Sequence, residues 1–112
     1  MPTDSPHAGC SDLVALGRAL RELRKRRGVA QKAVGFDAGV GAGYVSAVEL
    51  GRVNPSFMPL LRIARTLRVP LSELVALYER NVEIIDPQTG QDLAYNQLAK
   101  ARRARGRIKP WT

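Results

Sequence analysis

The sequence predicts an all-α domain of five short helices, followed by a C-terminal extension and a basic tail. Three observations lead there. Apolar residues recur at helical spacing in separate stretches between residues 11 and 80. Glycine or proline stands where these stretches stop, at Gly28, Gly39, Gly51 and Pro70. The β-branched run Val82-Glu83-Ile84-Ile85 falls only after them. With 112 residues the chain suffices for one modest helical core and is too short for two.

Composition narrows the function. Lys and Arg total 18 against 10 Asp and Glu, a net charge of +8. Such an excess favours a polyanion through counterion release and steering, with nucleic acid first and an anionic membrane surface second. No run approaches the roughly 18 to 20 apolar residues of a spanning helix. The opening MPTDSPHAGC has neither the basic start nor the apolar centre of a targeting segment. A cytoplasmic protein is expected. Cys10 is the single cysteine and His7 the single histidine, so an internal disulfide, a zinc cluster and Cys-His chemistry are all excluded. Neither a metal nor a cofactor is expected.

Residues 1 to 10 have almost nothing to bury and read as a disordered lead-in. From residue 11 a first helix is signalled, with Ser11 or Asp12 as N-cap, Leu13, Leu16, Leu20 and Leu23 as its apolar stripe, and Gly28 as its stop. Its last turn, Arg24 to Arg27, holds four cations that complement the helix dipole and could equally face phosphates. Residues 31 to 38 form a short second helix with Val34 and Ala38 inward. Gly35 there costs roughly 1 kcal/mol of helix stability and in exchange lets another backbone approach. Phe36 reads as a partly buried aromatic, with a partner-binding role as the alternative.

Gly39-Val40-Gly41 supplies a turn with Val40 as its buried plug, and residues 42 to 50 form a third helix with Val45 and Val48 facing the core. Gly51 ends it as a C′ residue. Gly41 and Gly43 both weaken its first turn. Asn54-Pro55-Ser56 is a turn and cap, after which Phe57, Leu60, Leu61, Ala64 and Leu67 mark a fourth helix. Pro70 opens a fifth, whose inner face is Leu71, Leu74, Val75, Leu77 and Tyr78. The domain thus spans 11 to 80. In the extension, 81 to 99, a turn at 86 to 90 precedes a segment that leaves strand and helix both open. The tail, 100 to 112, carries Lys100, Arg102, Arg103, Arg105, Arg107 and Lys109 without an acid, and is expected to be disordered alone.

Leu20, Leu23-Arg24, Gly28-Val29-x-Gln31, Gly39-Val40, Glu49-x-Gly51, Asn54-Pro55-Ser56 and Leu67-x-Val69-x-x-x-x-Leu74 together resemble the helix-turn-helix domain of the Cro and phage-repressor type, the XRE family, over about residues 13 to 80. The resemblance implies a five-helix phage-repressor-like fold that lays its third helix in the DNA major groove. It implies DNA contacts from Gln31 and Lys32, from Ala42, Gly43, Tyr44, Ser46 and Ala47 on that helix, and from Arg52, Asn54 and Ser56 after it. Arg24 and Glu49 match a structural ion pair of the family.

The chain also departs from the pattern. Family members usually carry Ser or Thr at the cap of the third helix and polar readers at the next two positions and near its middle, where this chain has Gly41, Ala42, Gly43 and Ala47. None of these makes the bidentate hydrogen bonds that separate one base from another. Specificity would then come through DNA shape, or through Arg102, Arg103, Arg105, Arg107 and Lys109, in which Arg105-Gly106-Arg107 resembles a minor-groove-binding core. The leading expectation is a transcriptional regulator, a repressor acting as a homodimer on a palindromic operator of double-stranded DNA, with Val82, Ile84 and Ile85 as dimer contacts. The alternative is an antitoxin-like or adaptor module that holds a protein. No nucleophile, base and orienting group occur together, so an enzyme is not expected, nor is a membrane or small-molecule partner.

Overall fold

The computed structural model describes residues 4–83, which form α1 (Ser11–Arg27), α2 (Gln31–Ala38), α3 (Ala42–Glu49), α4 (Phe57–Thr66) and α5 (Leu71–Val82), with no strand among them. The expected turn at 86 to 90, the element after it, Ile84, Ile85 and the basic tail lie outside the described residues.

α1 stops where its sequence says it should. Gly28 adopts the left-handed conformation (φ 68°), and the amides of Gly28 and Val29 return to the carbonyls of Lys25 and Arg24. Its start differs from expectation. The N-cap is Cys10, without a side-chain cap, and Ser11 and Asp12 are already helical. The carboxylate of Asp12 is instead engaged by α5, accepting a hydrogen bond from the Tyr78 hydroxyl (2.9 Å).

The core lies where α1 packs against α3 and α5, with α2 held between α3 and α4. Leu20, Leu23, Val34, Val45, Val48, Ile63, Leu67 and Leu74 are the large side chains fully enclosed there. On α4 the covered stripe is Leu60, Ile63 and Ala64, continued by Leu67 at the C-cap, and Phe57, which leads the predicted stripe, is 60% exposed because the covered part begins one turn later. Val75 on α5 is likewise exposed, whereas Asn81, not foreseen, is buried and donates to the carbonyl of Ala15 (3.0 Å). That bond fixes the end of α5 against α1. Val82 is the last residue of α5, half-buried and helical, so it is no part of a β-type edge.

The helices meet closely because two of them lack a side chain at the crossing. A Cβ at Gly17, inside α1, would overlap the carbonyl groups of Val48 and Glu49 at the end of α3. Within a helix such a glycine is unfavourable by roughly 1 kcal/mol, and here the close packing of two backbones offsets it.

The lead-in also differs from expectation. Residues 4 to 10 do not run free: the amides of Ser5 and Gly9 donate to the carbonyls of Arg52 and Gly51 (both 2.8 Å), which lays the segment along the loop after α3. Among the described residues no helix is long and apolar enough to cross a membrane, and no cluster of residues could hold a metal ion.

Gly17→Ala should therefore force α1 and α3 apart and lower stability by about 1 to 3 kcal/mol, measured as a fall in the urea midpoint. A second outcome concerns Tyr78, whose hydroxyl is pushed up to about 12 by burial, with the Asp12 carboxylate adding to it. An acid whose folded pKa lies above its unfolded value of about 10 keeps its full stabilisation below pH 10 and loses it as pH rises toward 12. Tyr78→Phe should flatten that alkaline decline in melting temperature.

Candidate nucleic-acid interface

The unit formed by α2, its turn and α3 is fixed by backbone. The amides of Val40 and Gly41 both donate to the carbonyl of Gly35 (2.9 and 3.0 Å), and a Cβ at Gly35 would overlap the backbone of Gly41 and Ala42. Gly35 is therefore a closure point, as its place in the sequence suggests. Val40 is half-buried and packs against the edge of the core, short of a full plug. Gly41 is the N-cap of α3 with φ 86°, a conformation that side-chain-bearing residues rarely adopt. The missing Ser or Thr cap thus has a local cause, and only Gly43 sits within the first turn.

α3 buries Val45, Ala47, Val48 and Glu49. Ala47 was expected to face DNA; at 1% exposure it is enclosed and cannot reach a base. The outward face is carried by exposed Gly43 and Leu50, with Ala42, Tyr44 and Ser46 half-buried beside them. Leu50, 57% exposed, lies outside the expected contact set. Its spacing of seven from Gly43, opposite the core positions Val45 and Val48, could have placed it there. This face offers one hydroxyl, one phenol and small or apolar groups, a chemistry suited to thymine methyls and close approach. Burial raises the Tyr44 hydroxyl pKa, against the opposing effect of the Arg62 charge nearby, so the phenol stays a neutral donor and acceptor. Arg62 also donates to the carbonyl of Ala38 (3.1 Å), tying α4 to the end of α2.

Behind this face lies a charged network. Arg24 reaches from α1 to Glu49 with two hydrogen bonds (Nε to Oε2, 2.6 Å; Nη2 to Oε1, 3.1 Å), and its Nη1 donates to the carbonyl of Val29 (2.8 Å). The Glu49 side chain is 1% exposed and that of Arg24 12%. Gln31, expected at a phosphate or base edge, donates its amide to Glu49 Oε1 (2.8 Å), so its orientation is set by the same carboxylate. No buried side-chain nitrogen or oxygen among the described residues lacks a partner.

Of the other expected contacts, Lys32, Asn54 and Ser56 are exposed and Arg52 half-exposed, Arg52 being paired with Asp4. The four cations ending α1 divide: Arg24 turns inward, Arg26 pairs with Glu22 and approaches Glu73, and Lys25 and Arg27 stand exposed. Phe36, expected to be partly buried, is 83% exposed. Val34 and Ala38 occupy the inward face of so short a helix, and Phe36 falls on the opposite side.

Removing the carboxylate of Glu49 would leave Arg24 and Gln31 without their shared partner. Glu49→Ala should cost about 3 to 5 kcal/mol, seen as a large fall in the chemical-denaturation midpoint. An unchanged midpoint would refute the structural role given to this pair.

Known proteins of similar sequence and shape agree on one family. The model for a helix-turn-helix domain matches residues 15–77. Over 60 residues the chain is 38% identical to the HTH-type transcriptional regulator SlrR of Bacillus subtilis (strain 168), covering 53% of this chain and 40% of that protein. It is 36% identical over 70 residues to the HTH-type transcriptional regulator DdrOP3 of Deinococcus deserti, covering 62% of this chain and 51% of that one. The matches therefore span about half or less of these curated relatives. The crystal structure of the restriction-modification controller protein C.AhdI from Aeromonas hydrophila superposes with a TM-score of 0.55 at 40% identity, covering 56% of this chain and 96% of that chain. With more than half its length matched and the same helical architecture, the chain belongs to the Cro and phage-repressor (XRE) family of helix-turn-helix DNA-binding proteins.

Proposed function

We propose that the chain is a DNA-binding transcriptional regulator, a repressor that acts as a homodimer on a palindromic operator with α3 in the major groove. The observation that carries this reading is the outer side of α3, exposed Gly43 and Leu50 with half-buried Ser46 between them, held on a backbone-locked α2–α3 unit in a chain of net charge +8. Gln31, Lys32, Ala42, Gly43, Tyr44, Ser46, Leu50, Arg52, Asn54 and Ser56 then form the contact surface, with Gln31 presented by Glu49 and the others positioning the domain on phosphates or lining the groove. Ala47 has no part in it. Because the face has few hydrogen-bonding groups, discrimination between sites comes from DNA shape more than from base edges, aided by Arg102, Arg103, Arg105, Arg107 and Lys109.

A homodimer follows from the size of one domain, which covers a half-site, and two half-sites about 34 Å apart multiply the affinity. Ile84 and Ile85 remain candidate contacts, with Val82 joining them as the helical end of α5. The surface at Phe57 and Met58 supports pairing too. Both are exposed apolar side chains, the kind of surface a partner copy covers. One observation favours a second reading, a module that holds another protein: the isolated exposure of Phe36 on α2.

Selection of duplexes from random DNA should return a motif with two inverted half-sites. Neutralising six or more phosphates should give a slope of log affinity against log salt of roughly −5 or steeper, with two chains per duplex by sedimentation. A salt-independent interaction, or no enriched motif, would favour the protein-binding module instead.

A further inference from the structure

We propose, building on the DNA-binding reading above, that Asp4 sets the affinity of the complex by occupying the guanidinium of Arg52 as an internal stand-in for a DNA phosphate. Asp4 Oδ1 accepts from both Nε (2.9 Å) and Nη2 (2.8 Å) of Arg52. That is the edge with which an arginine makes paired contacts to a carboxylate or phosphate.

The contact is not the chance position of a loose side chain. The same residue's backbone carbonyl accepts the Ser5 amide, and the Gly51 carbonyl accepts the Gly9 amide, so residues 4 to 9 are laid against the loop that follows α3. Two turns shape the segment itself: the Ala8 amide donates to the Ser5 carbonyl and the His7 amide to the Ser5 hydroxyl. Arg52 in turn is anchored to α3, its amide donating to the carbonyl of Ala47. The carboxylate is therefore delivered to one specific cation, on the loop that leaves α3.

Both side chains remain in contact with solvent, 38% exposed for Arg52 and 53% for Asp4. A pair this exposed is weak and exchangeable. A phosphate arriving at Arg52 either displaces Asp4 or meets a site whose charge is already cancelled, and in both cases the contact yields less than a lone arginine would give. Asp4 thereby lowers the grip on any DNA, whatever its sequence, and leaves the discrimination between sites to α3 and its surroundings.

The test measures binding of the full-length chain to its selected duplex across a range of salt concentrations. Asp4→Asn is compared with the parent, with Arg52→Gln, with the double variant, and with Glu79→Gln, which makes the same change in net charge at an exposed site on α5. Asp4→Asn should bind about two- to fivefold tighter at low salt, in line with an exposed ion pair. Its salt slope should steepen by about 0.9 where Asp4 keeps the phosphate off Arg52, one more phosphate being neutralised, and stay unchanged where the phosphate displaces Asp4. Both gains should vanish in the Arg52→Gln background, and Glu79→Gln should show neither. Weaker or unchanged binding by Asp4→Asn, or a gain that persists without Arg52, overturns this role for Asp4 while leaving the DNA-binding reading intact. If the parent itself binds no duplex, the DNA-binding reading fails and the role of Asp4 falls with it.

Discussion

The arrangement of the domain depends on one carboxylate. Glu49 stands at the last turn of α3, almost fully enclosed, and its charge is tolerable there only because Arg24 and Gln31 surround it. Through this group α1, the first residue of α2 and the end of α3 are joined at a single point. Arg24 extends the junction to the α1–α2 connection through the Val29 carbonyl. An apolar cluster could hold these helices together as strongly, but it would not fix their register; three directional hydrogen bonds from two partners do. The same carboxylate orients Gln31, so the interior network reaches the surface at the start of α2.

Close backbone approach does the remaining positioning. Gly17 lets the end of α3 rest on α1, and Gly35 lets the turn fold back on α2. Both glycines weaken the helix they sit in, and both permit packing that any side chain would prevent. With its inner side so committed, α3 has only its outer side to offer, and on a helix of eight residues that amounts to Gly43, half-buried Ser46 and the adjoining Leu50. A surface so poor in hydrogen-bonding groups is suited to lie deep in a groove and gain from fit. Cations stand on the loop that follows, Arg52, and at the start of α2, Lys32. Residues 4 to 9 lie along that loop, which gives the first part of the chain a place in the fold despite its lack of apolar residues.

Much of this was legible in the amino-acid sequence because it depends on neighbours along the chain. Helical periodicity gave the five elements, and Gly28, Gly39 and Gly51 marked their ends because only a residue without a side chain readily takes the left-handed conformation. The cluster of matches between Leu20 and Leu74 gave the family. Gly41 at the cap also announced an atypical recognition helix. Where the sequence misled, a three-dimensional neighbour was responsible. Ala47 lies between two outward positions of the helix, yet packing encloses it. Phe57 belongs to a stripe whose first turn has no cover, and Phe36 sits on a helix too short to bury more than one side. Asn81 and Ile63 needed knowledge of which helix would lie against them.

The sequence by itself determined the helices, their boundaries, the basic character and the family, since local sterics, spacing and charge require no knowledge of distant residues. Tertiary structure alone decided how these parts are used. It showed Gln31 bound to Glu49, divided the four cations at the end of α1 between structural and exposed positions, exchanged Ala47 for Leu50 on the outer side of α3, and brought Asp4 to Arg52 across 48 positions of chain. Pairings between residues so far apart are set by how helices pack, and periodicity within any one helix carries no record of its partner.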